Sequence, residues 1–221
     1  MKDFPKSPQV APSLLACDHG NFREGVNFAS KAKCKILHID VMDGSFVPPI
    51  TFGDNIVKIA KEEPSLFLDT HLMIVNPEKH FESMVEAGSD NITFHAKVCS
   101  DIPDAAAKLK KLNVKAGIAI NPEIPAKVIL PHLHLFDLAL VMTVNPGWGG
   151  QKFIEEGLDK IKVIKDKIIQ DKLNCLIEVD GGVNDITGPK CLAAGADILV
   201  SGSYLYKHPD SPTAISSILG Q

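Results

Sequence analysis

Lys35-Ile36-Leu37-His38-Ile39-Asp40-Val41, running on into Met42-Asp43-Gly44, is an almost unbroken apolar run interrupted by two ionisable groups. Such a run reads as a strand covered on both faces, the habit of parallel sheets. Working outward, the same pattern recurs at Val10–Leu15, Leu66–Met73, Ile92–His95, Lys115–Ile120, Leu138–Val144, Cys175–Asp180 and Ile198–Ser201. Amphipathic segments lie between. Asn21–Lys31 carries Phe22, Val26 and Ala29 at helical spacing, and Pro77–Ala87 opens on Pro and stops before Gly88. Asp101–Leu112 and Glu155–Gln170 are the clearest helices, whereas Pro125 and Pro131 leave little room for one after the fifth strand. Eight strands at roughly 26-residue spacing, alternating with helices, is the rhythm of a small (β/α)8, or TIM, barrel. An open doubly wound sheet would show fewer repeats and a Gly-rich first turn. Here the first strand leads into Ala16-Cys17-Asp18-His19-Gly20, and no shift of composition divides residues 1–221, so one barrel domain is expected.

Composition narrows the function classes. Hydrophobic residues make up 45% and charged residues 23%, enough apolar surface to offset the entropy of folding and exclude global disorder. A net charge of -4 speaks against a nucleic-acid partner, which needs a basic face. No apolar run approaches the roughly 20 residues of a membrane span, and Met1-Lys2-Asp3-Phe4-Pro5-Lys6 has no apolar region of a signal peptide behind its charges. Cys17, Cys34, Cys99, Cys175 and Cys191 are odd in number and far apart, which reads as buried free thiols in a reducing cytoplasm.

In a TIM barrel the active site sits at the C-terminal strand ends. His38 and Asp40 are two apart and share a face. With His71 from the third strand and Asp180 from the seventh, they would be very costly inside a barrel unless paired or ligating a metal. Two imidazoles and two carboxylates suit one divalent ion: zinc, iron(II), manganese or cobalt. The alternative is a hydrogen-bonded polar cluster. Met42, Met73 and Met142 also stand at strand ends, either as ordinary core filling or as a dry, polarisable wall over a reacting carbon.

Asn145-Pro146-Gly147-Trp148-Gly149-Gly150-Gln151 follows the sixth strand and suits a flexible lid offering backbone N–H groups to an anion. Gly181-Gly182 after the seventh strand and Gly202-Ser203 after the eighth fall where barrels hold phosphate. No Lys or Arg is required by this scheme.

Taken together, Ala11-Pro12-Ser13-Leu14-Leu15, the block from His38 to Pro48, His71-Leu72-Met73, Val144–Gln151 and Val179-Asp180-Gly181-Gly182 closely resemble the ribulose-phosphate 3-epimerase family, in the same order from about Val10 to Tyr206. The resemblance implies interconversion of D-ribulose 5-phosphate and D-xylulose 5-phosphate, a step of the pentose phosphate pathway, on a TIM barrel with one divalent metal. It places the metal ligands on His38, Asp40, His71 and Asp180, and the acid/base pair on Asp40 and Asp180. Substrate contacts fall on Ser13, His71, Gly147, Trp148, Gly149, Gly150, Asp180, Gly181, Gly182, Gly202 and Ser203, with Met42, Met73 and Met142 as a sulfur cap. The expected partners are a phosphorylated ketopentose and further copies of the chain, with no nucleic acid and no membrane. Trp148 stands where the family usually has Phe, and Lys97 where Glu is more usual. Competing readings are an allulose-6-phosphate epimerase, a metal-free phosphate-barrel decarboxylase, and a barrel that binds sugar phosphate without reacting it. The decarboxylase relies on a charged Asp/Lys network at strand ends, and His38-Ile39-Asp40-Val41-Met42-Asp43 holds no Lys.

Overall fold

A computed structural model of residues 1–221 shows eight parallel strands with helices between them. The strands are β1 Gln9–Pro12, β2 Ile36–Met42, β3 Phe67–Met73, β4 Asn91–His95, β5 Lys115–Ile120, β6 Leu138–Met142, β7 Leu176–Asp180 and β8 Ile198–Ser201. Their order in the sheet is β1-β8-β7-β6-β5-β4-β3-β2, and a parallel bridge between Ser13 and His38 brings the two ends together. This is the expected TIM-barrel architecture. No helix is long and apolar enough to cross a membrane.

Local chemistry explains where the helices begin and end. In α1 (Phe22–Lys31) the Asn21 side chain accepts from the Glu24 N–H, and in α4 (Ile102–Lys111) Asp101 does the same for Asp104. The helices α2 (Asp54–Ala60), α3 (Phe81–Ala87), α5 (Gly157–Asp171), α6 (Thr187–Ala194), α7 (Ser203–Lys207) and α8 (Ser211–Ile218) complete the outer ring. Gly88 ends α3 in a left-handed conformation, as its sequence position suggests.

Two expectations shift. The first strand stops at Pro12 rather than Leu15, because Ser13 Oγ accepts from the Leu15 N–H and folds Leu14–Ala16 into a 3-10 turn. Pro77–His80 is 3-10, and the α-helix starts only at Phe81. After β5 the outcome is the expected one: Pro125 and Pro131 leave room only for two 3-10 turns, Ala126–Val128 and Leu130–Leu135. The thiols are free, but Cys17 and Cys99 are only partly buried.

The interior divides into layers. The largest apolar cluster joins the outward strand faces to the helices, for example Leu37, Ile39, Leu68, Ile92, Ile118, Val141 and Val179 with Val26, Leu109, Ile161 and Cys191. Inside the barrel, near the strand starts, Ala11, Ile36, Phe67, Leu138, Ile198 and Val200 form a second cluster, and Phe4 packs on Phe67 with centroids 4.4 Å apart. Above it the inward positions turn polar: His38, Asp69, Asn91, Thr93 and Glu178 are fully buried. Parity two carries one face of each strand through apolar floor, polar belt and rim.

Gly117 faces Thr93 across the β4–β5 pair, and a Cβ there would run into Thr93 Oγ1, which accepts from Asn91. Gly117→Ala should therefore lower the unfolding free energy by about 1–3 kcal/mol. Urea unfolding measures this, and an unchanged midpoint would mean that the polar belt has room the geometry denies it.

Candidate metal centre and substrate cavity

His38 and Asp40 project inward from β2, His71 from the β3 position opposite Asp40, and Asp180 from the end of β7. Their ligand atoms all lie within 4.8 Å of one another. His38 Nε2 and His71 Nδ1 are 3.4 Å apart, and Asp40 Oδ1 stands 3.3 Å from the first and 3.2 Å from the second. Asp180 Oδ2 is 3.9 Å from His71 Nδ1. Donors bound about 2.0–2.2 Å from one ion stand at such separations from each other. The second carboxylate oxygen of Asp40 accepts from Ser13 Oγ at 2.6 Å, which fixes the plane of the carboxylate.

The outer face of each imidazole is also occupied. His38 Nδ1 meets Asp69 Oδ2 at 2.6 Å, and Asn91 Nδ2 donates to the other Asp69 oxygen at 2.6 Å. With its Nδ1 proton directed to Asp69, His38 turns Nε2 toward the centre. The donor set therefore fits a divalent ion: two imidazole nitrogens and two carboxylates converge, with outer partners of the usual kind.

Electrostatics make the same point. Burial opposes an imidazolium at His38, but Asp40, Asp69 and Glu178 outweigh it and raise its pKa well above the usual value. Burial likewise opposes charge on Asp40, yet His38 and His71 hold it well below the carboxylate range. Asp180 moves the other way: burial and the Asp40 charge push it up to about 6. Glu178 is raised well above its ordinary value by burial and by Asp69, and neither of its oxygens has a hydrogen-bond partner. The centre calls for positive charge, as a proton on His38 or as a metal.

Above the centre opens a cavity of about 750 Å³. Ser13, Asp40, Met42, Met73, Met142, Gly147, Trp148, Gly149, Gly150, Asp180, Gly181, Gly182, Gly202 and Ser203 all line it, so the sequence-selected residues come together. His38 and His71 lie behind this wall, fully buried. Met42 and Met73 stand side by side at the ends of β2 and β3, and Met142 stands beside Asp180 at the end of β6. Trp148 stays 61% exposed at the rim. The loop around it is tied to itself by Gln151 Nε2, which donates to the Asn145 and Trp148 carbonyls. Gly181 and Gly182 adopt positive φ (119° and 66°), where a side chain would be strained and would meet Val144 or Phe153.

Some partners escaped the sequence reading. Lys152 and Lys207 also line the cavity, so cationic side chains stand by the glycines after all. His95 is fully buried against His71, and Asn121 follows β5 beside it. Asp69 and Glu178 stand one inward step below His71 and Asp180. The signal for these was parity: Asn91, Thr93 and His95 repeat the two-residue spacing of His38 and Asp40. Lys97 pairs with Glu123 at 2.7 Å on the surface and touches none of the ligands.

Comparison with known proteins adds an independent line. The family model described as "Ribulose-phosphate 3 epimerase family" matches residues 9–206. The chain is 43% identical to a ribulose-phosphate 3-epimerase of Bacillus subtilis, covering 96% of this chain and 98% of that one. It is 38% identical to that of Chlamydia muridarum, over 90% and 88% respectively. Among solved structures it is similar in fold to a 3-hexulose-6-phosphate synthase from Salmonella typhimurium, with a TM-score of 0.68, 18% identity and coverage of 96% and 97%.

Because a bound cation replaces the His38 proton, metal should stabilise the fold and do so more as pH rises. At a free zinc concentration a hundred times the dissociation constant the gain is about 2.7 kcal/mol, or about 5–10 °C in Tm for a chain of this size. Calorimetry with and without zinc at two pH values measures it. A gain that is absent, or that grows as pH falls, would contradict the donor assignment.

Proposed function

The chain belongs to the ribulose-phosphate 3-epimerase family, and we propose that its barrel, one catalytic domain over residues 1–221, inverts C3 of a ketopentose 5-phosphate between Asp40 and Asp180. The observation that carries this reading is the pair of carboxyl groups, Asp40 from β2 and Asp180 from β7, that line one cavity, the first pulled below the usual carboxylate range by His38 and His71 and the second pushed up to about 6 by burial and by Asp40. An ordinary Asp titrates near 3.9 and would be a poor proton donor at neutral pH. A group near 6 can both give and take a proton there.

Inversion next to a ketone needs a proton removed from one face and another delivered to the opposite face. In one direction the Asp40 carboxylate takes the C3 proton. The C3–H electron pair becomes the C2–C3 double bond of an enediolate, with the carbonyl π electrons moving onto O2. The Asp180 carboxyl then protonates C3 from the other side, and the electron pairs return to restore the ketone. In the reverse direction the two residues exchange roles. Ser13 holds Asp40 in orientation through the 2.6 Å hydrogen bond. Met42, Met73 and Met142, all buried, keep water from the planar carbon. A divalent ion held by His38, Asp40, His71 and Asp180 supplies Lewis-acid stabilisation of the enediolate charge when bound. Zinc, iron(II), manganese and cobalt all suit this donor set.

The phosphate is assigned to the backbone of Gly181, Gly182, Gly202 and Ser203, with Gly147, Trp148, Gly149 and Gly150 closing over it. Gly150 supports this, since a Cβ there would lie 3.9 Å from Ser203 Oγ across the cavity. Lys152 and Lys207 add positive potential on the same side. We place the enzyme in the cytoplasm as a homo-oligomer, in keeping with its free thiols.

Asp180→Asn keeps the shape and removes the carboxyl. Turnover should fall at least about a hundredfold in both directions. Assays with ribulose 5-phosphate and with xylulose 5-phosphate, on samples of measured metal content, check it. Near-normal turnover in either direction would overturn the two-carboxylate scheme.

A further inference from the structure

His71 Nε2, on the side away from the centre, lies 2.8 Å from His95 Nε2, and His95 Nδ1 lies 2.5 Å from Asn121 Oδ1. An amide oxygen has no proton to give, so His95 Nδ1 donates to Asn121. A neutral imidazole carries one N–H, so His95 Nε2 is an acceptor and the proton between the two rings belongs to His71 Nε2. That leaves His71 Nδ1 with a bare lone pair aimed at Asp40, His38 and Asp180.

We propose that His95, anchored by Asn121, is a positioning residue that fixes the tautomer of His71 and thereby makes Nδ1 its metal-binding atom. The inference rests on the reading that His71 is a ligand. It adds which nitrogen binds and what dictates the choice.

The surroundings hold this chain of side chains in place. His95 is fully buried, and the Phe46 ring packs against it at a tilt with centroids 4.6 Å apart, which shields the pair of imidazoles from bulk solvent. Asn121 is held by its backbone: Lys160 Nζ, reaching from α5, donates to the carbonyls of Asn121, Pro122 and Ile124 at 3.0, 2.5 and 2.8 Å. Lys97 and Glu123, two residues beyond His95 and Asn121, pair at 2.7 Å over the same spot. The departure of Lys97 from the usual family residue thus serves as a clip across the β4 and β5 ends. Were the Asn121 amide reversed, every proton in the chain would shift one place. His71 would then carry its proton on Nδ1, pointed at Asp40, where the cation belongs.

Two measurements test the proposal. Long-range 1H–15N spectra of the zinc-loaded wild type should show His71 protonated on Nε2 and His95 on Nδ1. Zinc dissociation constants, by competition with a chelating dye, should rise about 10–100-fold in His95→Phe, which keeps the ring volume and removes the acceptor. His95→Gln, whose amide oxygen can accept from His71, should recover at least about fivefold of that loss. Circular dichroism monitors folding of each variant. A His95 protonated on Nε2 overturns the proposal even if His95→Phe does not fold, and so does a folded His95→Phe that binds zinc within about twofold of wild type. Wild-type protein that binds no zinc would instead sink the ligand reading, and this inference with it.

Discussion

Carboxylates and imidazoles crowded into the buried interior of a barrel, with no lysine or arginine buried among them, form the constraint on which the rest of this structure turns. Burying even one unpaired charge costs several kcal/mol. Asp40, Asp69, Glu178 and Asp180 are packed with His38, His71 and His95 along the inward faces of β2, β3, β4 and β7. The protein offsets the cost unevenly. Asp69 takes hydrogen bonds from His38 and Asn91 and is held below the usual carboxylate range, Glu178 is pushed well above it by burial and by Asp69, and Asp40 leans on His38, His71 and Ser13. What remains is a demand for one more positive charge at the rim. The same imbalance that draws a cation also pushes Asp180 up into the range where proton transfer is easy.

The layering of the barrel keeps this burden away from what stabilises the fold. The outer apolar cluster and the floor of Ile36, Phe67, Leu138 and Ile198 contain no polar obligation and can carry the packing energy. The rim residues, by contrast, sit at strand ends where loops converge. Stability is concentrated below and chemistry above, which lets a charge-crowded polar belt persist in an otherwise ordinary core.

Much of this was legible in the chain. The parity of His38 and Asp40, with His71 and Asp180 at other strand ends, pointed to one inward cluster, and the structure brings all four within reach of one ion. The glycines and methionines at the strand ends likewise converge on one cavity. What escaped was the layer that orients the ligands. Asp69 and Glu178 lie inside strands, below the ends where reactive groups were sought, and Asn121 lies just past β5, where its neighbour depends on barrel closure. Register, not residue type, makes His95 a partner of His71, and register is a tertiary property. The short first strand was decided by a Ser13 side-chain bond, against an otherwise adequate apolar pattern, whereas the 3-10 turns after β5 follow the two prolines that the sequence shows there.

The account stands on where the missing charge goes. Anomalous diffraction from zinc-loaded crystals, collected above and below the metal edge, locates it directly. One peak per chain is predicted, about 2.0–2.2 Å from His38 Nε2, His71 Nδ1 and oxygens of Asp40 and Asp180. A barrel with no peak, or a peak among His38 Nδ1, Asp69 and Glu178, the other buried group able to hold an ion, would contradict it.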